Sequence, residues 1–137
     1  NWIYGCDVCQ EVCPWQRFSI PTHEQTFYPE STDYAAPPLL DILALDTETF
    51  KARYAESPIL RIKRNRLVRN ACIAAGNWGD PRAVPVLSAL LNDTSPLVRA
   101  HSAWAYLRIT GDSQRIQVLH KSETDADARN DLAHLLA

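Results

Sequence analysis

The sequence predicts a mostly α-helical protein, in which a short cysteine-rich segment precedes a solenoid of helical repeats. Three observations lead to this fold class. Three of the four cysteines fall within positions 6–13, four prolines lie within positions 21–38, and apolar residues recur at helical spacing from Leu39 onward. The chain has 137 residues, of which 46% are hydrophobic and 22% charged, as in a folded globular domain.

The charge balance and the hydropathy pattern exclude several classes of protein. Fourteen Lys and Arg against sixteen Asp and Glu give a net charge of -2, so a nucleic-acid site would have to come from local clustering of basic residues. No apolar run approaches the roughly 20 residues that a membrane helix needs, and no secretory leader is recognised. The chain has no Met and begins with Asn, which predicts a piece of a longer protein. We expect a monomer without a membrane partner.

The composition divides the chain into three parts. Residues 1–20 are rich in cysteine and aromatic residues and have too little periodicity for a long element. Residues 21–38 are predicted to be an extended linker laid over a surface, because proline interrupts helices and strands there. The prolines of this linker are Pro21, Pro29, Pro37 and Pro38. Residues 39–137 form the predicted repeat domain.

Helices, and no strand pair, are predicted after residue 38. Their expected bounds are 39–45, 47–56, 59–76, 81–92, 96–109, 113–121 and 125–136. Proline is well tolerated in the first turn of a helix, and Pro58, Pro81 and Pro96 all fall at such positions. Glycine favours the left-handed residue that ends a helix, which predicts ends at Gly76-Asn77 and at Gly111.

The helical part repeats with a period of 30 residues, as Val68-Arg69, Val98-Arg99 and Ala128-Arg129 show. Such helix pairs bury a continuous core only when neighbouring pairs stack. The segments 67–93 and 96–111 resemble HEAT-type repeats. In that family the recurring arginine usually bonds an acidic turn residue of an adjacent repeat. The resemblance therefore implies structural roles for Arg69, Arg99 and Arg129, with Asp93 and Glu123 as candidate partners.

The candidate chemistry lies in the first sixteen residues. The spacing Cys6-x2-Cys9-x3-Cys13-Pro14 equals the last part of the bacterial ferredoxin run C-x2-C-x2-C-x3-C-P. In that run closely spaced thiolates hold corners of a cubane iron-sulfur cluster, while the cysteine before proline ligates the other cluster of a pair. Ile3 stands where the first cysteine of the run would be. The local ligand set is therefore incomplete and needs thiolates from elsewhere.

Other interpretations of the cysteines stay open. Three thiolates and the imidazole of His23 could form a tetrahedral zinc site, although structural zinc sites seldom place proline directly after a cysteine. A redox C-x-x-C motif or a disulfide is less favoured, because the sequence indicates neither a βαβ context nor an oxidising compartment. Cys72 is flanked by alanines on a predicted helix and is expected to be a small buried hydrophobe.

Two segments resemble the C-terminal part of the epoxyqueuosine reductase family. GCDVCQEVCPWQ matches the second ferredoxin motif of that family, with Gln16 in place of the usual Asn, and SPILRIKRNRLVRNACIAAGN matches its following basic helix. The resemblance implies a cytoplasmic enzyme that reduces the epoxide of epoxyqueuosine in the tRNA anticodon loop, using cobalamin and two [4Fe-4S] clusters. It implies that Cys6 and Cys9 ligate one cluster together with upstream thiolates, and that Cys13 ligates the cluster nearer the cobalamin. The catalytic acid and most of the cobalamin site would lie outside this chain.

A local cluster of basic residues fits the tRNA anticodon stem-loop that the resemblance implies as a partner. Positions 61–69 hold five basic residues and no acidic one. Phosphate contacts use such clusters. The predicted RNA contacts are Arg61, Lys63, Arg64 and Arg66. At helical spacing these side chains do not share one face, so a solvated helix start with one repeat-stabilising arginine is an equally open interpretation.

The sequence thus predicts a ferredoxin-like iron-sulfur segment followed by a HEAT-like helical-repeat solenoid. The predicted function is that of the C-terminal fragment of an epoxyqueuosine reductase, which would be inactive by itself. The alternative is a ferredoxin-like electron-transfer module fused to a HEAT-repeat scaffold that binds proteins. A reductive dehalogenase also joins cobalamin to two clusters, but it would not explain the repeats or the basic helix start.

Overall fold

The fold is that of an all-helical chain, seen in a computed structural model that describes residues 3–29 and 31–137. Within those two ranges every regular element is helical and no strand is present. This confirms the predicted helical fold class. None of the described helices is both long and apolar enough to cross a membrane.

The part of the chain before Leu39 contains only short elements joined by extended backbone. Helix α1 spans Val8–Glu11 and helix α2 spans Thr32–Ala35, and single 3₁₀ turns span Pro14–Phe18 and Gln25–Phe27. Helices of this length are not stable by themselves, because the free-energy cost of helix nucleation exceeds the gain from one or two turns of hydrogen bonds. Residues 21–29 are all exposed, so this stretch of the proline-rich linker does not pack on the helices that follow.

All seven helices predicted after residue 38 form. They are α3 (Leu39–Leu43), α4 (Thr47–Arg53), α5 (Lys63–Trp78), α6 (Val84–Leu90), α7 (Pro96–Thr110), α8 (Ser113–Ser122) and α9 (Ala126–Leu136). The 3₁₀ turns Pro58–Ile62 and Pro81–Ala83 precede α5 and α6, and proline begins both turns. Aspartate carboxylates accept hydrogen bonds from backbone N–H groups at the starts of α4, α8 and α9, which satisfies donors that have no partner within the helix.

The helices stack as a solenoid of pairs. Helix α6 packs on α7 and α8 packs on α9, while α5, α7 and α9 contact one another in sequence and α3 packs on α5. Val68, Val98 and Ala128 occupy the same position in successive pairs, and all three are buried. Ala75 and Ala105 are also fully buried at equivalent positions. The 30-residue repeat is therefore confirmed, and its small residues bring the second helices of the pairs together.

The end of α5 differs from the prediction. The helix continues past Gly76-Asn77 to Trp78, and Gly79, with φ 74°, is the left-handed residue that ends it. Gly76 lies inside the helix, where a Cβ atom would collide with the ring of Trp104 on α7. That glycine is required for the close approach of two helices. The predicted end of α7 at Gly111 is confirmed.

The predicted arginine pairing is confirmed between the last two repeats. Arg99 binds Glu123 through two parallel hydrogen bonds, 2.7 Å from Nε to Oε2 and 2.5 Å from Nη2 to Oε1. The Glu123 side chain is fully buried, and its Oε1 also accepts the backbone N–H groups of Thr124 and Asp125. Hydrogen bonding from the Arg99 guanidinium lowers the pKa of Glu123 to about 2.

In the preceding repeat the predicted pairing of Arg69 with Asp93 is wrong. Asp93 pairs with Arg64, whose Nη1 lies 2.6 Å from Oδ2 of the carboxylate. Arg64 also donates from Nε to the carbonyl oxygen of Leu45 at 2.8 Å, so one guanidinium satisfies two acceptors at once. The Nε atom of Arg69 is buried and has no hydrogen-bond partner among the described residues.

Candidate functional site

The three clustered cysteines lie on and around the short helix α1. Cys9 lies within α1, Cys6 precedes it in irregular backbone, and Cys13 follows it immediately before the 3₁₀ turn of Pro14–Phe18. Gly5, with φ 65°, turns the chain just before Cys6. All three thiols are free, with Cys6 and Cys9 exposed and Cys13 half-buried. The motif is therefore presented on a turn with its sulfur atoms available.

The donor set fits iron-sulfur chemistry in part. Iron-sulfur clusters bind through cysteine thiolates, and three such donors are present at the ferredoxin spacing. Within residues 3–29 and 31–137, however, no three His, Cys, Asp or Glu side chains come together as a closed metal site. His23 is exposed and does not complete a four-ligand zinc site with the cysteines. The described residues thus supply part of a ligand set and not the whole of one.

Cys72 differs from the other three cysteines. It lies on α5 and is fully buried. Burial, aided by the negative charge of Asp93, raises the pKa of its thiol to about 12. A thiol that stays protonated at neutral pH is neither a metal ligand nor a nucleophile. The prediction of a small buried hydrophobe is confirmed.

Aromatic and aliphatic side chains around the cysteines are exposed to solvent. Trp15 is 74% exposed and Phe18 is 60% exposed, and their ring centroids are 5.6 Å apart. The guanidinium of Arg17 lies 4.7 Å from the centre of the Phe18 ring. Large exposed apolar patches mark surfaces that contact another structure. Trp2, a further aromatic residue near the cysteines in sequence, lies outside the described residues.

A hydrogen bond and the packing of Ile3 against the core join the cysteine-bearing segment, residues 3–29, to the helical part, and a cleft lies beside them. Asn70 on α5 donates from Nδ2 to the carbonyl oxygen of Ile3 at 2.7 Å. A cleft of about 630 Å³ lies between Ile3 and Tyr4 on one side and Tyr54 and Leu67 on the other. Asn70 therefore fixes the backbone three residues before Cys6 against the start of the solenoid.

The four predicted RNA contacts divide into two groups. Arg61, Lys63 and Arg66 are exposed, and no acidic residue interrupts positions 57–69. Arg64 has only 11% of its side chain exposed, and it is held by Asp93 and by the Leu45 carbonyl. The structure thus brings three cations to the surface at the junction between the 3₁₀ turn of Pro58–Ile62 and α5. We call these three residues, Arg61, Lys63 and Arg66, the basic turn.

Sequence reasoning missed two features of the basic turn. Lys63 has φ 65° and ψ 157°, a backbone conformation that is almost reserved for glycine, and no sequence signal predicts it at a lysine. The role of Asp93 as the partner of Arg64 was also missed. The repeat pattern indicated Asp93 as an acidic partner, because it occupies the position of Glu123 in the next repeat, but it indicated Arg69 and not Arg64 as the arginine.

The comparisons with known proteins cover both parts of the chain. Residues 59–137 match the family of HEAT repeats. Epoxyqueuosine reductase from Pseudomonas aeruginosa is 40% identical over 112 residues, which are 79% of this chain and 30% of the relative. Epoxyqueuosine reductase from Escherichia coli K12 is 40% identical over 109 residues, which are 77% of this chain and 27% of the relative.

A solved structure extends the likeness to nearly the whole chain. The crystal structure of an epoxyqueuosine reductase with a tRNA-Tyr epoxyqueuosine-modified tRNA stem loop matches with a TM-score of 0.83 and 27% identity. The match covers 96% of this chain and 36% of that one. The chain spans about 30% of the length of the curated relatives it matches. The chain therefore belongs to the HEAT-repeat family, and its homologues are epoxyqueuosine reductases, of which it corresponds to one part.

Proposed function

We propose that the chain is the C-terminal part of a cobalamin- and [4Fe-4S]-dependent epoxyqueuosine reductase, which reduces epoxyqueuosine to queuosine in the tRNA anticodon loop. One observation carries the proposal. A ferredoxin-type cysteine run and a HEAT solenoid occur in the same chain and in the same order, and a reductase structure matches 96% of that chain. We place the enzyme in the cytoplasm, where its tRNA substrate and reduced thiols are found.

The cysteines would supply part of the cluster ligands. Cys6 and Cys9 would hold one [4Fe-4S] cluster with thiolates from outside this chain, and Cys13 would hold the second. When bound, the clusters and cobalamin would relay to the epoxide the electrons that a separate electron donor provides. The chain's own contribution is to hold three thiolates at fixed spacing, with the left-handed turn at Gly5 before them and Pro14 after them. The exposed aromatic rings near them would exclude water once the rest of the protein covers them.

The basic turn would contact the phosphates of the tRNA anticodon stem. Its three cations are exposed and form no ion pair within the described residues, so each is available to displace counterions from RNA. Arg64 is left out of this proposal, because its charge is already neutralised by Asp93. The rest of the chain is slightly acidic, so binding would depend on this local cluster.

Metal analysis of the full-length protein, purified without oxygen, tests the cluster assignment. We expect about eight iron and eight sulfide per chain, as two cubane clusters require. Cys6→Ser and Cys13→Ser should each lower the iron content, whereas Cys72→Ser, the matched control, should leave it unchanged because that thiol is buried. About one zinc per chain with little iron would contradict the proposal and favour a zinc site.

Binding of a tRNA anticodon stem-loop to the full-length protein tests the RNA assignment. The triple variant Arg61→Ala, Lys63→Ala, Arg66→Ala should weaken binding and reduce the slope of log K against log salt by about 2 to 3, because each lost phosphate contact changes that slope by nearly one. The triple variant Lys51→Ala, Arg115→Ala, Lys121→Ala removes the same charge from helices α4 and α8 and should have a small effect. Clusters present without cobalamin or tRNA binding would instead favour the electron-transfer scaffold.

A further inference from the structure

The basic turn is held in a conformation that its own sequence disfavours. Lys63 has φ 65° and ψ 157°, where a residue with a Cβ atom meets steric resistance from its own backbone. Such a conformation persists only when the surroundings fix the residues on either side. It separates the 3₁₀ turn of Pro58–Ile62 from α5, so Arg61 does not follow the helical register of Arg66.

Arg64, the residue that follows Lys63, is held by contacts with two other parts of the solenoid. Arg64 binds Oδ2 of Asp93 at 2.6 Å and the carbonyl oxygen of Leu45 at 2.8 Å. These contacts tie the start of α5 to the end of α3 and to the loop between α6 and α7. Asp93 is fixed in turn, since its Oδ1 accepts the backbone N–H of Ser95 at 2.9 Å and its carbonyl oxygen accepts Nη1 of Arg99 at 2.8 Å.

The pairing of Arg64 with Asp93 differs from the pairing that the repeat pattern predicts. Asp93 occupies the position of Glu123, and Arg69 occupies the position of Arg99, so the default pair would be Arg69 with Asp93. Instead Arg64 takes the carboxylate, and the buried Nε of Arg69 has no hydrogen-bond partner in the described part of the chain. A buried donor without a partner costs stability. The helix pair that contains α5 therefore lacks the arginine–carboxylate contact that Arg99 and Glu123 make in the next repeat, and Arg64, beside the basic turn, binds the carboxylate instead.

We propose that Arg64 and Asp93 are positioning residues for RNA binding, and that they hold the Lys63 turn so that Arg61, Lys63 and Arg66 meet the RNA phosphates together. This inference rests on the proposed function, because it concerns the same RNA surface. It reassigns Arg64 from a phosphate contact to the support of that surface. It also gives an acidic residue, Asp93, a favourable effect on the binding of a polyanion.

The matched pair Arg64→Lys and Arg66→Lys separates support from contact. A phosphate contact keeps most of its strength when lysine replaces arginine, because the charge remains. Lysine cannot bind Asp93 and the Leu45 carbonyl at once through a planar fork. With the full-length protein and a tRNA anticodon stem-loop, Arg64→Lys should weaken binding about tenfold and lower the salt slope by about 1, whereas Arg66→Lys should bind almost as wild type.

Asp93 provides a test in which simple electrostatics predicts the opposite sign. Removing a negative charge near a basic surface should strengthen RNA binding if only net charge matters. If Asp93 instead supports the basic turn, Asp93→Asn should weaken binding about tenfold and lower the salt slope by about 1. Asp93→Glu should bind as wild type, since Glu123 makes the same kind of pair in the next repeat. Asp127→Asn, on the exposed start of α9, is the control for loss of charge and should not weaken binding.

The salt slope distinguishes positioning from simple loss of stability. Partial unfolding lowers the fraction of active protein but leaves the slope of the folded molecules unchanged, and circular dichroism reports that fraction. Wild-type or tighter binding by both Arg64→Lys and Asp93→Asn would overturn the inference, while the triple variant of the basic turn could still lose affinity and leave the proposed function standing. If the triple variant also binds as wild type, the RNA surface and its support are both wrong.

Discussion

The cysteine-bearing segment, residues 3–29, and the helical part, residues 39–137, are held by different forces. No side chain of the segment is buried, and eight of its large apolar side chains are exposed. The helical part contains a continuous core in which Leu43, Leu87, Ile116 and Leu132 are essentially inaccessible to solvent. The helical part therefore has the buried apolar area that drives folding, and the segment has almost none.

This contrast shows what each part needs from outside. In the helical part, side-chain caps accept hydrogen bonds from backbone N–H groups at helix starts, and buried charges are neutralised in ion pairs such as Arg99 with Glu123. The aromatic rings of the segment and the thiols of Cys6 and Cys9 are exposed, and within the described residues the hydrogen bond from Asn70 and the packing of Ile3 against the core join the segment to the solenoid. We infer that cluster binding and contact with the rest of the protein give the segment its order.

The largest expected effect is a difference in protection between the two parts. In the isolated 137-residue chain, residues 39–137 should exchange backbone hydrogens at rates set by global unfolding, while residues 4–29 should exchange with almost no protection. The two free energies of opening should differ by several kcal/mol, because global stabilities are of order 5–15 kcal/mol. Hydrogen exchange with limited proteolysis measures both. Equal protection of the two parts would show that the segment folds with the solenoid alone.

The next largest effect should come from the buried pair of Arg99 and Glu123. Glu123→Gln should destabilise the helical part by about 3 kcal/mol, because it leaves a partly buried guanidinium without its charge partner. Glu48→Gln is the control, since Glu48 forms an exposed ion pair with Lys51 and its loss should cost less than about 0.5 kcal/mol. Urea unfolding measures both changes, and equal effects would contradict the structural role of the buried pair.

The same carboxylate should make the helical part sensitive to acid. The pKa of Glu123 is lowered in the folded state from 4.5 to about 2, so its contribution to stability is complete above pH 4.5 and is lost as the pH falls toward 2. The contribution is about 3 kcal/mol, from the size of that shift. Unfolding measured between pH 7 and pH 2 should show a smaller acid-induced loss in Glu123→Gln than in wild type. An identical acid profile would exclude Glu123 as the source.

The sequence predicted the helices well because their signals are local. Apolar spacing locates every helix after residue 38, and the recurring Val-Arg pairs identify the repeat. Pro96 lies in the first turn of α7 as predicted, whereas Pro58 and Pro81 begin 3₁₀ turns that precede α5 and α6. It predicted the wrong end for α5 because Gly76 and Gly79 offer the same local signal. The choice between them depends on Trp104, which lies 28 positions away from Gly76 and needs a residue without a Cβ atom. Tertiary packing, and not local sequence preference, therefore determines which of the two glycines ends α5.

The candidate site was predicted unevenly for a similar reason. The spacing of Cys6, Cys9 and Cys13 predicts the donor atoms of the proposed clusters, but the described residues do not supply a complete ligand set, so the rest of such a site could not be predicted from this sequence. Among the basic residues, sequence alone could not separate Arg64 from its exposed neighbours. Its partners, Asp93 and the Leu45 carbonyl, come from two other elements and approach only in the folded solenoid.

Gly76→Ala should change the free energy of unfolding by a smaller amount, and in the direction opposite to that expected for alanine inside a helix. Alanine normally stabilises a helix interior by about 0.5–1 kcal/mol relative to glycine. Gly76→Ala should instead destabilise the helical part by about 2 kcal/mol, because the new methyl group overlaps the Trp104 ring. In a Trp104→Ala background the same substitution should cost clearly less, because the remaining close neighbour of the methyl group is the Cα atom of Ala105 at 3.1 Å. A double-mutant cycle measured by urea unfolding checks this, and a stabilising effect of Gly76→Ala in the wild-type background would contradict the close approach of α5 and α7.

The smallest expected change in stability concerns residues with a positive φ angle, which the two parts of the molecule accommodate differently. Gly5 in the segment and Lys63 in the helical part both have φ 65°, but only the second is a residue with a Cβ atom. The segment, with no core, uses glycine, which adopts this conformation without strain, whereas the helical part holds a lysine there through Arg64. Lys63→Gly should therefore raise the stability of the helical part by about 0.5–1 kcal/mol.

Lys63→Ala is the matched variant, because it removes the same charge and keeps the strain. It should leave stability close to wild type, so the difference between the two variants isolates the backbone conformation from the loss of charge. Both variants should reduce the salt slope of RNA binding by the same amount, close to one, because each loses one phosphate contact. Equal stability of the glycine and alanine variants would show that Lys63 is not strained in solution. The turn would then need no support from Arg64, and any RNA defect of Arg64→Lys would require another cause.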